Sequence, residues 1–324
     1  MKLYRKIRNS ARGFFLERRI QGLMRPYETI VPTHLAIETT NFCNGKCVFC
    51  PSTAQTRSRG VMSMELLEKI INDAKGLDSI EFVTHGGMGE PLMDEKITDK
   101  IKIEKAAIRA PVQLHTNGSL LNEDNIRKLF DSGLDILSVS LNAYHGLTHE
   151  AVTGLDYGKV LQNVENAFRM KAQIKADTDI RITMVKTEDM SQEEVSGFKR
   201  HWSRFTPSVK VHSMKNWGCF SANLVEGRKY PCKWIWYMMS VEWDGRVSIC
   251  HEDFDGSVII GDLNHDRIID VFNCETIKGL RETFYEGGFP SLGLCRDCSR
   301  LHLDKSFWRG AQVTAGAEGV IKYS

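Results

Sequence analysis

The chain lacks two features that would direct it to a membrane or a secretory route. No run of about 18 apolar residues, the length that spans a bilayer, occurs in its 324 residues. The first ten residues, MKLYRKIRNS, also lack the apolar core of a signal peptide. We therefore expect a globular protein of the cytosol, in which 42% hydrophobic residues supply the core.

A dominant charge is missing as well. The 43 Lys and Arg residues against 41 Asp and Glu give a net charge of +2, which is too balanced to indicate a nucleic-acid partner for the whole chain. Basic residues do concentrate in residues 1–25, where apolar residues also recur at helical spacing. We expect a basic N-terminal helical extension over residues 1–33. It either packs on the main domain with a solvated basic face, which we favour, or docks on a membrane surface or anionic partner.

Between residues 34 and 214, short β-branched segments alternate with amphipathic ones, as in repeated βα units around a parallel sheet. Five helical patterns separate the strands, and Ser191 with Glu194 predicts a capping box for one of them. Six units fall short of the eight of a closed barrel. The pattern predicts an α/β fold with a partial (β/α)6 TIM-like barrel over residues 34–215 and an active site at the C-terminal strand ends. The strand segments begin at His34, Ser79, Pro111, Ile136, Asp179 and Ser208.

After residue 215 the composition changes to Trp, Gly and Cys with hairpin signals. Asp244-Gly245 separates two β-like runs, and Asp255-Gly256 repeats the same dipeptide. An amphipathic helix containing Cys274 is predicted further on. We expect a small β-hairpin-rich domain over residues 216–324.

The nine cysteines favour metal ligation or catalysis, because disulfides are rare in a reducing compartment. Cys43, Cys47 and Cys50 fall in one tight loop after the first strand. Three thiolates can hold a 4Fe-4S cube and leave one iron open to a small molecule. The alternative is zinc, but a structural zinc site needs four ligands and no fourth Cys or His lies nearby in the sequence.

This Cys-x3-Cys-x2-Cys loop after the first strand of a partial barrel resembles the radical S-adenosylmethionine (SAM) superfamily. The resemblance covers nearly the whole chain. It implies that SAM chelates the open iron and is cleaved reductively to methionine and a 5'-deoxyadenosyl radical, which abstracts a hydrogen atom from a substrate. It also implies a reducing flavodoxin or ferredoxin as partner.

The resemblance further implies SAM contacts at the ends of consecutive strands. Residues 87–91, Gly-Met-Gly-Glu-Pro, resemble the family's Gly-Gly-Glu motif, with Met88 replacing one glycine and Glu90 holding the methionine ammonium. The segment His149–Gly158 after the fourth strand lacks the arginine that many relatives place there, so Arg181 in the fifth strand is assigned to the SAM carboxylate. The implied cofactor-binding residues are Phe49, Gly89, Glu90, Thr116, Asn117, Ser138, Ser140, Asn142 and Arg181.

A second cysteine set comprises Cys232, Cys250, Cys295 and Cys298. Four thiolates make a closed site for zinc or for a fully ligated 4Fe-4S cluster, and spacing alone does not separate the two. The run from Cys232 to Cys250, with Gly245 between, resembles the start of the SPASM family of appended domains. That resemblance implies an auxiliary 4Fe-4S cluster, in the truncated Twitch form because no cysteine follows Cys298, with electron transfer as its task.

Several functions remain open at this point. In a dehydrogenase, which the auxiliary cluster favours, a substrate radical beside a hydroxyl loses a proton to a base and an electron to that cluster; His85, His212 and Lys215 are the candidate bases. In an epimerase, Cys219 returns a hydrogen atom. A peptide-modifying maturase is the third alternative, and a non-catalytic metal module is the fourth. The expected substrate is a hydroxylated small molecule such as a sugar or aminocyclitol, which no residue identifies.

Overall fold

The structure is a computed structural model that describes residues 29–77, 79–217, 229–296, 298–303, 313–315 and 321–323. The predicted basic N-terminal helix and Cys219 lie outside the described residues. None of the described helices is both long and apolar enough to cross a membrane.

Six parallel strands form the predicted partial barrel, which confirms the fold class. Neighbours in the sheet follow chain order from β1 to β6, and every pair is parallel. The C-terminal ends of all six therefore meet at one edge, where residues of an active site can converge. The strands are β1 (His34–Ile37), β2 (Phe82–His85), β3 (Val112–Thr116), β4 (Ile136–Ser140), β5 (Asp179–Lys186) and β6 (Val209–Ser213).

Six helices connect these strands and cover the outer face of the sheet. In α1, Leu66, Leu67, Ile70 and Ile71 are buried, as their spacing predicts, and the Ser63 hydroxyl caps the first turn. The helices are α1 (Met64–Lys75), α2 (Ile97–Ala107), α3 (Glu123–Asp131), α4 (Gly146–Thr153), α5 (Tyr157–Ile174) and α6 (Gln192–Trp202).

The predicted capping box on α6 forms only in part. The Ser191 hydroxyl accepts a hydrogen bond from the Glu194 backbone N–H at 3.1 Å, but the Glu194 carboxylate does not return to Ser191. It instead accepts from the backbone N–H groups of Tyr144 and His145, just before α4. The tertiary structure thus uses this side chain to tie two helix starts together, since both present unpaired N–H groups.

The predicted hairpin is an extension of the barrel sheet rather than a separate sheet. Strand β7 (Met238–Val241) pairs in parallel with β1, and β8 (Arg246–Ser248) and β9 (Ile259–Asp262) continue antiparallel from it. The turn between β7 and β8 contains Gly245 at φ +92°, as the Asp-Gly signal predicts. This pairing satisfies the second edge of β1, whose backbone groups would otherwise be unpaired.

The predicted single helix around Cys274 is two helices. Cys274 is the N-cap residue of the second. The buried Arg281 of that helix donates to the carbonyl of Phe272 at the end of the first helix and to the carbonyl of Ile235 in another segment. The remaining elements are α7 (Ile268–Val271), α8 (Glu275–Tyr285), α9 (Gly293–Arg296), α10 (Arg300–Leu303), β10 (Val313–Ala315) and β11 (Ile321–Tyr323).

Candidate active site

The three-cysteine loop directly follows β1 and rests on α4. The backbone N–H groups of Lys46 and Val48 donate to the carbonyls of Thr153 and Val152 at 2.8 and 2.9 Å. Burial raises the pKa of Cys43 to about 11. Burial and the neighbouring thiolates of Cys50 and Cys43 raise the pKa of Cys47 to about 12. Such mutual effects arise because the thiols of this loop converge, and a bound metal would hold them as thiolates.

Glu90 is a buried hub between β2 and β3. One carboxylate oxygen accepts from the Leu92 N–H at 3.1 Å and the Thr116 hydroxyl at 2.7 Å, and the other accepts from the Asn117 N–H at 2.6 Å. Burial raises the pKa of Glu90 to about 7 against the opposing effect of these hydrogen bonds. Glu90 thus fixes the two loops that the sequence assigned to SAM.

Glycine is required in the loop that leads to Glu90. A Cβ atom on Gly89 would lie 2.0 Å from the carbonyl oxygen of Thr40, and Gly87 has φ +133°. This loop therefore passes directly against the chain that precedes the three cysteines. The contact places the backbone around Gly89 beside the cysteine loop.

The second cysteine set lines one cavity, with Cys232, Cys250, Cys295 and Cys298 in its wall. Four thiolates in the wall of one cavity suit either a zinc ion or a fully ligated 4Fe-4S cluster.

Two family models match the chain. One, described as the radical SAM superfamily, matches residues 37–197, and the other, described as an iron-sulfur cluster-binding domain (SPASM), matches residues 232–299. The first contains the three-cysteine loop, and the second contains all four cysteines of the cavity. This protein belongs to the radical SAM superfamily. Its cofactors are 4Fe-4S clusters and SAM, as the sequence predicts.

Curated relatives of this radical SAM protein differ in their described activities. A SAM-dependent 2-deoxy-scyllo-inosamine dehydrogenase of Niallia circulans is 20% identical over 270 residues, which cover 82% of this chain and 92% of that protein. A probable GTP 3',8-cyclase of Methanothermobacter thermautotrophicus is 29% identical over 162 residues, 50% of each chain. An uncharacterized protein of Methanocaldococcus jannaschii is 29% identical over 183 residues, 56% of this chain. The chain spans only about half the length of the last two relatives, 50% of the Methanothermobacter thermautotrophicus protein and 57% of the Methanocaldococcus jannaschii protein.

Solved structures share the fold of this radical SAM protein. BtrN in complex with AdoMet and 2-DOIA superposes with a TM-score of 0.59 at 17% identity, covering 84% of this chain and 94% of that chain. SuiB of Streptococcus suis bound to the precursor peptide SuiA gives a TM-score of 0.67 at 14% identity, covering 92% and 75%. Native anSMEcpe with bound AdoMet gives 0.61 at 16%, covering 90% and 93%. At these identities the likeness concerns the fold.

Three of the residues predicted to contact SAM face the barrel interior, namely Ser138, Ser140 and Arg181. Ser138 lies opposite Arg181 in the register of β4 and β5, and the Ser140 hydroxyl lies 3.3 Å from that of Thr183 on the same face. Arg181 donates to Asp179 at 3.0 Å and to Gln113 at 3.4 Å. Side chains alternate along a strand, so all of these side chains point away from the helices.

The other predicted SAM residues hold loops in place. Thr116 and Asn117 donate to Glu90, and the Asn117 side chain also donates to Asn44, beside the first cysteine. Asn142, at φ +60°, accepts from the Val185 N–H at 3.0 Å. The carbonyl of Phe49 accepts from the indole N–H of Trp217 at 2.9 Å. The structure therefore brings Glu90, Thr116 and Asn117 together beside the first cysteine, while Asn142 lies just after the end of β4.

The three predicted bases lie in different environments. His85 projects from the outer face of β2, where its Nε2 lies 2.8 Å from Glu104 of α2 and the ring is fully buried. This contradicts its prediction as the base, because the ring faces the helices and not the barrel interior. His212 lies exposed on the edge strand β6. Lys215 is partly buried, with its Nζ 3.1 Å from Glu252.

Sequence reasoning missed three histidines on the interior face. The ring of His34 lies 2.7 Å from the Thr84 hydroxyl, and that of His115 lies 2.6 Å from the Gln113 amide. Burial lowers the pKa of His34 to about 4, that of His115 to about 3 and that of His251 to about 4. Uncharged rings therefore line this part of the barrel. The available signal was the polar alternation of Gln113 and His115 in an otherwise apolar strand.

Proposed function

We propose that this radical SAM protein is a dehydrogenase of a hydroxylated small molecule. Lys215 carries the proposal: its amine lies 3.1 Å from Glu252, which itself lines the four-cysteine cavity. A base and an electron acceptor therefore adjoin the same side of the barrel interior. The removal of one proton and one electron from a substrate radical requires both.

The proposed ligands of the clusters are the seven cysteines that the sequence singled out. Cys43, Cys47 and Cys50 would hold the cluster that binds SAM, and Cys232, Cys250, Cys295 and Cys298 the auxiliary one. We assign the SAM ammonium to the Gly89–Glu90 loop, the ribose and carboxylate to Ser138, Ser140 and Arg181, and the adenine to Phe49. A flavodoxin or ferredoxin is the proposed electron donor.

When bound, the first cluster and SAM supply the 5'-deoxyadenosyl radical, which takes a hydrogen atom from a carbon that bears a hydroxyl. Lys215 would accept the hydroxyl proton of the substrate radical, a cluster held by Cys232, Cys250, Cys295 and Cys298 would supply a one-electron acceptor, and a C=O bond would form. The substrate thus loses two hydrogens. One electron enters for SAM cleavage and one leaves through the auxiliary cluster, so the electrons balance.

The surroundings of Lys215 suit a base. Burial lowers its pKa, while Glu252 opposes that effect and Arg300 adds to it. Its Nζ lies 5.1 and 5.5 Å from the ring centroids of Trp217 and Trp234. These rings restrict the access of water, and a lowered pKa increases the fraction of neutral amine that can accept a proton.

The two remaining alternatives make different products. The epimerase depends on Cys219, outside the described residues, and keeps the oxidation state of the substrate. The maturase takes a peptide, as the structure of SuiB with its precursor peptide illustrates for that protein. Both alternatives share the radical-forming step, so only the product separates them from the dehydrogenase.

Anaerobic turnover in deuterated water tests the proposal, with 2-deoxy-scyllo-inosamine, the substrate named for the Niallia circulans enzyme, and a set of sugars as substrates. We expect a product lighter by two hydrogens, formed with one 5'-deoxyadenosine. Lys215→Met should still cleave SAM but make at least about 10-fold less product, whereas Lys199→Met, an exposed lysine of α6, should match the parent. A product of unchanged oxidation state with deuterium on carbon, lost in Cys219→Ala, would establish the epimerase instead.

A further inference from the structure

The wall of the four-cysteine cavity contains three polar side chains in a regular arrangement. Trp234, Glu252 and Arg300 each lie two residues after a cysteine of the set, namely Cys232, Cys250 and Cys298, and all three line the cavity. The other lining side chains are apolar: Ile235, Ile249, Phe284, Leu294 and Leu301. Charge beside this cavity is therefore concentrated at one place.

Arg300 is held there by two interactions. Its guanidinium carbon lies 3.6 Å from the ring centroid of Trp234, a stacking contact. Its Nε and a terminal nitrogen donate to Glu252 at 3.2 and 3.0 Å, and the side chain is only 13% exposed. A guanidinium fixed on both an aromatic face and a carboxylate keeps one position.

Glu252 is shared between two cations. The same oxygen that accepts from Arg300 lies 3.1 Å from Lys215, on the side of the barrel interior. Arg300 keeps its positive charge, and Lys215 adds a second one only while its amine is protonated. The apolar residues around the cavity screen the charge of Arg300 poorly, so it acts on whatever the cavity holds.

We propose that Arg300, fixed by Trp234 and Glu252, sets the reduction potential of the auxiliary cluster and makes it a better electron acceptor. A reduced cluster carries one more negative charge, which a neighbouring guanidinium stabilises. Arg300 is a positioning residue that acts through its charge and touches no substrate. The inference rests on the proposed auxiliary cluster but on no particular substrate.

Potentiometric titration followed by electron paramagnetic resonance tests this inference without SAM or substrate, so its result is independent of the product assay. The full chain with Cys43, Cys47 and Cys50 replaced by Ala serves as parent, because it keeps only the auxiliary cluster. Arg300→Gln should lower the midpoint potential, and Glu252→Gln should raise it. Arg267→Gln, at an arginine that is 69% exposed and paired with Asp270, should leave it unchanged.

An unchanged potential in Arg300→Gln with four irons retained would overturn the inference. If that variant loses iron, Glu252→Gln decides: a higher potential supports the role of charge, and an equal or lower one overturns it. Arg300→Lys keeps the charge without the stacked plane and should stay closer to the parent than Arg300→Gln. A parent without four irons would remove the cluster assignment, and the inference with it.

Discussion

At the scale of single residues, Glu90 shows how a predicted ligand can also be a structural hub. Its three hydrogen bonds join the turn after β2 to the end of β3. A carboxylate engaged in this way orients the loops around it, and it retains lone pairs for a further donor. Both functions depend on the same group, so a substitution affects SAM binding and loop order together.

We predict that Glu90→Ala weakens SAM binding by roughly 1.5 to 3 kcal/mol, the scale of a charge-assisted hydrogen bond, and leaves the iron content unchanged. Equilibrium dialysis of the anaerobic protein with labelled SAM measures this. Thr116→Val removes one donor but keeps the carboxylate, so its effect should be smaller. Equal affinity in Glu90→Ala and the parent would assign the ammonium contact to another group.

Glu242 is a second buried carboxylate, and its shifted pKa predicts that the stability of the protein depends on pH. Burial raises its pKa to about 7, although Arg57 lies 3.1 Å away and opposes the shift. The folded protein thus binds a proton that the unfolded chain has released between the ordinary pKa of 4.5 and about 7. In this window the contribution of Glu242 to stability falls as pH rises.

Glu242→Gln should therefore gain stability relative to the parent as the pH increases from about 5 to 8. Urea unfolding at several pH values measures the difference between the two proteins. Glu275→Gln, at a side chain that is 98% exposed, is the matched control and should show no such trend. A difference between Glu242→Gln and the parent that stays constant across this range would contradict the assigned shift.

At the scale of elements, the close approach of two loops defines the proposed SAM site more than any helix does. The loop containing Gly89 passes the chain between β1 and the three cysteines with no room for a side chain. A cluster loop and a SAM loop in contact keep a fixed geometry. That geometry matters because a small displacement lowers the reaction rate where a reactive species must reach one particular atom.

We predict opposite results for the same substitution at two glycines. Gly89→Ala should abolish SAM binding or prevent folding, because the new Cβ would lie 2.0 Å from the Thr40 carbonyl. Gly279→Ala, on the exposed side of α8 with no atom within 4 Å of the new Cβ, should stabilise the protein by about 0.5 to 1 kcal/mol. Thermal unfolding and SAM dialysis on both variants check this. Normal SAM affinity in Gly89→Ala would contradict the described contact.

At the scale of the whole molecule, the C-terminal part is bound to the barrel at several places. Strand β7 pairs with β1, and Asp255 accepts from the backbone N–H groups of Thr56 and Arg57 in the segment after the first cysteine loop. Arg57 in turn bridges Glu38 and Glu242. These contacts fix the two cysteine sites relative to each other, as the proposed electron transfer from a substrate to the auxiliary cluster requires.

The whole protein, purified anaerobically and reconstituted, should contain about eight irons per chain and essentially no zinc. Replacing Cys43, Cys47 and Cys50 by Ala should remove half of the iron, because the second site remains. Metal analysis by mass spectrometry gives both numbers. About four irons with one zinc in the unmodified chain would identify the second site as a zinc site.

Local sequence determined the features that depend on nearby residues. The spacing of Cys43, Cys47 and Cys50, the alternation of strands and helices, and the side-chain caps at Ser191 and Asn122 all follow from neighbours in the chain. The resemblance added the cofactors and the order of their proposed contacts. These predictions depend on residue types at fixed spacings along the chain, and tertiary packing does not change such a spacing.

Only the tertiary structure decided which side chains meet. It paired β7 with β1, directed Glu194 to α4, turned His85 toward Glu104, and brought Lys215 and Arg300 to the same oxygen of Glu252. A one-residue change of strand register reverses the face of every side chain. The partner of a buried charge depends on segments that are far apart in the chain. The sequence therefore determined which cysteines can bind clusters, and tertiary packing determined which other side chains lie beside those cysteines.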